Sequence, residues 1–196
     1  MARVQDVLGS SSLPTYFSGH SSLNTPADSK LHPHLTYLFD PNQKRLLVLQ
    51  PEMVDATIKR HQRHSKTLEL ALDGFSQLLA GTDGRLQIRS IEIDQQSDPI
   101  FSRSSVWESV TPYCVNRHAK KTAVNEAIVN DVLQECERRN LPRPQVTVTK
   151  WNAASGKLQA NLRLEFQQAL PGPVILGKTR HHGGGVFRTS RNQEDA

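Results

Sequence analysis

A short apolar run, Val174 to Leu176, leads into a loop holding Gly177 and the successive glycines Gly183, Gly184 and Gly185, with Lys178, Arg180, His181 and His182 between them. Glycine lacks the Cβ that keeps a ligand away from the backbone, while ammonium, guanidinium and imidazole groups donate to phosphate oxygens. Such a loop is suited to an anion. A flexible linker would be a Gly/Ser mixture without interleaved cations, and Val186-Phe187 follows at once, as if the chain re-enters a sheet. A connector between the last strand and a polar tail is the plain alternative, because glycine spacing alone is a weak signal. A second group of reactive residues lies upstream. His32 and His34 sit two apart in an alternating stretch that runs to Phe39, and His20 precedes them in Ser18-Gly19-His20. The period of a strand would put His32 and His34 on one face, and an imidazole ionises near neutrality, as proton transfer requires.

The charge of the chain is clustered. Over 196 residues, 24 Lys and Arg against 19 Asp and Glu leave a net charge of +5, an excess that means little unless concentrated. Three islands concentrate it: Lys59 to Lys66, Arg117 to Lys121, and Lys178 to His182. Basic islands are the footprint of phosphate binding, and each also reads as a solvated face or turn. Cys114 and Cys136 have no metal-ligand spacing, which suggests reduced thiols. The N-terminus lacks an apolar leader and no run is long enough for a membrane span, so a soluble, cytoplasmic protein is expected.

Several elements must position these groups. Residues 1–30 read as a short segment around Val4 to Leu8 and then an irregular arm, which a partner or a function would have to hold. A hairpin is expected from His32–Phe39 and Arg45–Leu49 around Asp40-Pro41-Asn42. A helical stripe follows from Pro51 through Val54, Ile58, His61, Leu68, Ala71, Leu72, Phe75 and Leu79 to Gly81, with a break near His64 to Lys66. Leu86 to Ile93 alternates as a strand. A second set comprises a strand over Val106–Val115, bent at Pro112, a helix over Thr122–Arg139, and strands at Val146–Trp151 and Leu158–Phe166. The glycine loop and a last strand close the order. The division is therefore an arm at 1–30, a first α+β unit at 31–100, a second at 101–188 and a polar tail at 189–196. Trp107, Tyr113 and Trp151 are either core residues or base-stacking platforms.

Taken together, Ser18-Gly19-His20, the His32-x-His34 strand, Trp107-x-Ser109-x-Thr111-Pro112 leading to Arg117-His118-x-Lys120, and Gly172 through Phe187 resemble a known pattern. The chain resembles the CRISPR repeat-processing endoribonucleases of the RAMP superfamily. The likeness is greatest to the subgroup in which this ribonuclease is the C-terminal half of a fusion with a guide-handle-binding subunit. The resemblance implies an α+β fold of two tandem ferredoxin-like, RRM-related units with a C-terminal glycine-rich loop. It also implies maturation of CRISPR RNA. The enzyme would bind the repeat hairpin and cleave it without metal or cofactor by attack of the 2′-hydroxyl, leaving a 2′,3′-cyclic phosphate, and would stay bound in a multisubunit guide-RNA complex. Met1 lies close before Ser18, so the fused half is absent, which leaves a stand-alone subunit or a fragment. His181-His182 departs from the expected glycine and aromatic alternation.

Carried onto this chain, the chemistry needs a base, an acid and cations for the phosphorane. His34 is the expected catalytic imidazole, with His20 or His32 as partner. Arg117, His118, Lys120, Lys121, Lys178, Arg180, His181 and His182 are the expected RNA contacts, and Gly177, Gly183, Gly184 and Gly185 shape the loop. Two other readings stand beside this one. A non-cleaving RNA-binding subunit would hold the 3′ end of the guide in an effector complex. A metal-dependent hydrolase would use His20, His32, His34 and Asp40, although Asp40 lies at the far end of the strand.

Overall fold

The computed structural model describes residues 1–19, 33–79, 81–116, 123–154 and 157–190. In chain order the elements are α1 (Ala2–Leu8), α2 (Thr15–Ser18), β1 (Thr36–Asp40), β2 (Arg45–Leu49), α3 (Pro51–Val54), α4 (Gln62–Leu72), β3 (Gln77–Leu79), β4 (Arg85–Gln87), β5 (Arg103–Ser109), β6 (Tyr113–Cys114), α5 (Val124–Arg138), β7 (Gln145–Ala154), β8 (Lys157–Pro171) and β9 (Phe187–Thr189). They form two compact units interleaved in sequence: Met1–Leu35 with Lys59–Ile93, and Thr36–Ile58 with Asp94–Ala196. The expected divisions at 31–100 and 101–188 do not coincide with these two units, since the β1–β2 hairpin groups with the second.

In the first unit the expected irregular arm is partly helical. Val4 of α1 is buried, and so are Tyr16 and Phe17 of α2. Arg3 Nε donates to the Ala71 carbonyl at 2.7 Å and its guanidinium also reaches the Asp73 carbonyl, which caps the C-terminus of α4 with a cation where orphan carbonyls favour one. The helical stripe is shorter than its sequence pattern. The chain breaks after Val54, where the Asp55 carboxylate accepts from the Thr57 amide (3.0 Å) and hydroxyl (2.6 Å), a local bond that competes with helix propagation. It resumes as α4 and ends at Leu72, ahead of Gly74 at φ 62°. Beyond that turn, residues expected as helix form β3, which pairs with β4 in a two-stranded antiparallel ribbon. β4 ends at Gln87, so the strand expected to Ile93 is cut short.

The second unit is built on β8, whose alternation is as regular in three dimensions as in sequence: Ala160, Leu162, Leu164 and Phe166 are buried, and the residues between them are half-buried or exposed. The five-stranded antiparallel sheet runs β7-β8-β5-β9, with β6 continuing the β5 edge of β8. Ile128, Val132 and Cys136 of α5 are wholly buried and join the sheet's inner residues in one core. Trp107 and Tyr113 are also fully buried in that core, which excludes both from stacking on bases. Trp151 is exposed. Burial pushes the Cys136 thiol up to about 12, so it is an inert core residue.

The β1–β2 hairpin forms in the register from Thr36↔Leu49 to Asp40↔Arg45. The strand expected from His32 instead begins at Thr36. Pro33 has no amide to donate, and on the partner side Gln50-Pro51 turns into α3, so β2 extends no further along the strand and the Leu35 amide donates instead to the Tyr16 carbonyl at 2.9 Å. A buried ion triad holds the hairpin: Arg45 Nε donates to Asp40 at 3.0 Å, and its two terminal nitrogens donate to the Asp98 carboxylate.

Candidate functional site

The loop from Gly172 to Val186 is a fitted turn. Leu176 N donates to Gly185 O at 2.9 Å, Gly185 N to Pro112 O at 2.9 Å and Lys178 N to Cys114 O at 2.9 Å, while Ile175 and Val186 form an antiparallel bridge. Its glycines answer to the protein's own atoms. A Cβ at Gly177 would lie 2.8 Å from Cys114 O, one at Gly184 would fall on the Thr179 hydroxyl, and one at Gly185 on the Leu176 carbonyl. Gly185 also has φ +62°, a conformation that side chains rarely adopt. Gly183 follows the short 3-10 turn Arg180–His182 and packs on the backbone of Leu38, and its carbonyl accepts from Thr111 Oγ1 at 2.8 Å. The glycine run thus fixes the loop's path and with it the outlook of its cations.

Those cations divide by environment. Lys178 and His182 are exposed. His181 is half-buried, with Nδ1 3.1 Å from Thr36 Oγ1, and ties the turn to β1. Arg180 is half-buried as well. Desolvation and the like charge of Arg139 pull its pKa down, against the pull of Glu135 and Asp55, so it sits within an internal charge cluster. The guanidinium itself stays charged. Arg139 is the hub of that cluster: it donates to Glu135 Oε1 at 2.8 Å and to the carbonyls of Val54 (3.3 Å) and Ile175 (3.4 Å).

One turn earlier on α5, Asp131 accepts from the Tyr113 hydroxyl at 2.6 Å and from the Asn116 amide at 2.8 Å. Asn116 Nδ2 lies 3.2 Å from Asp131 and 3.4 Å from Glu135. Burial and the carboxylates push the Tyr113 phenol well above its usual value, so it remains a donor. This network anchors the residue immediately before the second basic island. Arg117, His118, Lys120 and Lys121 themselves lie outside the described residues, as do His20 and His32.

His34 belongs to the first unit. Its Nδ1 bonds the Leu35 carbonyl at 2.9 Å, and because a carbonyl only accepts, the proton is on Nδ1. A neutral ring in that tautomer carries its lone pair on Nε2, the form of a general base. Gly19 lies against the ring: a Cβ there would stand 3.2 Å from it, and the backbone is at φ +67°. Gly19 and His34, distant in sequence, are therefore in contact in space. A second imidazole pair lies within the first basic island. His61 and His64 stack with centroids 3.8 Å apart, and His64 also packs on Tyr16 and Phe17.

Asp40 is buried and ion-paired to Arg45, which removes it from a metal-ligand set. Among the described residues no group of three or more His, Cys, Asp and Glu is placed to hold a metal ion, and no helix is long and apolar enough to cross a membrane. Comparisons with protein families, with curated proteins and with solved structures return no match to this chain.

Proposed function

We propose that the chain is a metal-independent endoribonuclease of the RAMP type that processes CRISPR repeat RNA. The observation that carries this reading is the loop of residues 172–186, a glycine turn held by close backbone contacts that presents Lys178 and His182 to solvent. The fold of the second unit supports it. The succession β5, α5, β7, β8, β9 with sheet order β7-β8-β5-β9 resembles a split β-α-β, ferredoxin-like unit, with the short β6 added between β5 and α5 and the glycine loop where a second helix would stand. The described residues of the first unit lend no such support, since their sheet is the β3–β4 ribbon.

In this reading His34 takes the 2′-hydroxyl proton through Nε2, its Nδ1 proton held by Leu35 O. Lys178 and His182 contact the RNA backbone, as cations that position rather than read sequence do. A non-cleaving guide-holding subunit is the second reading, and the partial burial of His34 against Gly19 favours it.

A labelled repeat RNA incubated in EDTA with wild type, His34→Ala, His32→Ala and His20→Ala separates the two. Loss of cleavage in His34→Ala with binding retained supports the ribonuclease and names its imidazole. Tight binding without cleavage by wild type selects the holding subunit, and absence of binding overturns both.

A further inference from the structure

His61 and His64 stack with ring centroids 3.8 Å apart and planes 14° from parallel, at the start of α4 where α2 packs on it. The His64 ring lies 4.6 Å from Tyr16 and 5.5 Å from Phe17, and His61 lies 6.4 Å from Tyr16. Tyr16 and Phe17 are buried, so the two imidazoles are part of the wall that covers them. Both rings are placed to be neutral. His61 Nδ1 accepts from the His64 amide at 3.4 Å and caps α4, which requires a nitrogen without a proton. His64 Nδ1 is buried and has no hydrogen-bond partner among the described residues. An imidazolium carries N–H on both nitrogens, so protonation removes the cap at His61 and buries an unmatched N–H at His64. Either charge would also stand at the positive end of the helix dipole. Cation–π attraction to Tyr16 offsets part of this cost but supplies no acceptor.

We infer that the stacked pair is an acid-released latch: protonation of either ring unseats Tyr16 and Phe17 from α4 and frees the segment that holds His34. The link to His34 is short. Leu35 N donates to Tyr16 O at 2.9 Å, and Gly19, which ends α2, stands against the His34 ring. The latch goes beyond the proposed catalysis and stands whether or not His34 is the base. The surrounding charges favour release. Arg63 neighbours His64 on α4, with Lys59 and Arg60 just ahead of the helix, while Lys66 is paired with Glu69 at 3.8 Å. From α1, Arg3 bonds the Ala71 and Asp73 carbonyls at the far end of α4, and Asp6 is exposed. α2 brings no charge, since the Tyr16 phenol does not ionise in the acid range. His34 is the remaining imidazole described in this unit. Desolvation, then the charges of His61 and Arg63, lower the His64 pKa, and no carboxylate acts against them.

Amide hydrogen exchange on the full chain, followed by NMR from pH 7.5 to 5 and corrected for intrinsic rates, tests the latch. Wild type is compared with His64→Phe and with the double variant His61→Asn/His64→Phe. Phe keeps a ring against Tyr16 and Asn keeps an N-cap acceptor, so the contacts are retained without the charge. The reporters are Gly19 N, bonded to Thr15 O at 2.8 Å, and Leu35 N. In wild type their protection falls together by about 10-fold or more as the His61 and His64 rings titrate, one pKa unit being a factor of about 10, while β8 amides hold theirs. The response shrinks in His64→Phe and vanishes in the double variant, and both keep their protection at pH 7.5. Wild-type protection at Gly19 and Leu35 that does not change with pH overturns the latch. So does a loss of wild-type size in either variant, which assigns the response to another group such as His34. A loss shared by the β8 amides makes the event global unfolding and overturns it as well.

Discussion

Gly185 combines a positive φ with a backbone contact that leaves no room for a Cβ, so conformation and sterics act together there. Gly185→Ala is expected to lose about 2–6 kcal/mol of stability, read from the urea midpoint of unfolding, because strain and overpacking each cost about 1–3 kcal/mol. His64 offers a test of a different kind. Desolvation, then the charges of His61 and Arg63, lower its pKa, and its ring packs on Tyr16, Phe17 and His61. The folded value lies below the unfolded value of about 6.5, so the unfolded chain binds the proton first. The stabilising contribution is present above about pH 6.5 and is lost as pH falls through the folded value. Thermal melts between pH 7.5 and 5 are expected to show this decline, and His64→Phe to flatten it.

Among the elements, the β1–β2 hairpin depends on one ionic tie. Burial raises the Asp98 pKa, but the Arg45 guanidinium and the Ile100 amide outweigh it and hold the carboxyl below its usual range. Its stabilisation is therefore present above about pH 4 and lost as pH falls through the folded value. Asp98→Asn leaves Arg45 with Asp40 as its remaining carboxylate and is expected to cost about 1.5–3 kcal/mol in chemical denaturation, as loss of a charge-assisted hydrogen bond does. How far these elements were legible follows from how local their causes are. β8 and α5 carry their periodicity in full, because each faces a core on one side, and the hairpin's second strand was legible for the same reason. The start of β1 was not. Whether His34 lies in a strand depends on which backbone is available to pair, and that is decided on the far side of the hairpin at Pro51. The stripe through Phe75 and Leu79 misled because its apolar spacing continues past Gly74, whose turn ends the helix.

At the scale of the molecule, the net charge of +5 bears on function through its distribution. The glycine loop was legible as a feature, whereas the close contacts of its glycines with Leu176, Thr179 and Cys114 were not, because those partners are set by the folded chain. Its cations were legible as a cluster, but their division into exposed Lys178 and His182 and internal Arg180 required Arg139 and Glu135, residues more than thirty positions upstream. Lys178→Ala is expected to weaken repeat-RNA binding and to reduce the slope of log K against log salt by about 1, as loss of one phosphate contact does, with binding titrations at several salt concentrations as the check. The central claim is the cleavage chemistry itself. Incubating the wild-type chain with repeat RNA in EDTA and determining the ends by mass spectrometry tests it most directly: a 2′,3′-cyclic phosphate and a 5′-hydroxyl at one position are predicted, whereas intact RNA, or cleavage that appears only on adding a divalent metal, would contradict it.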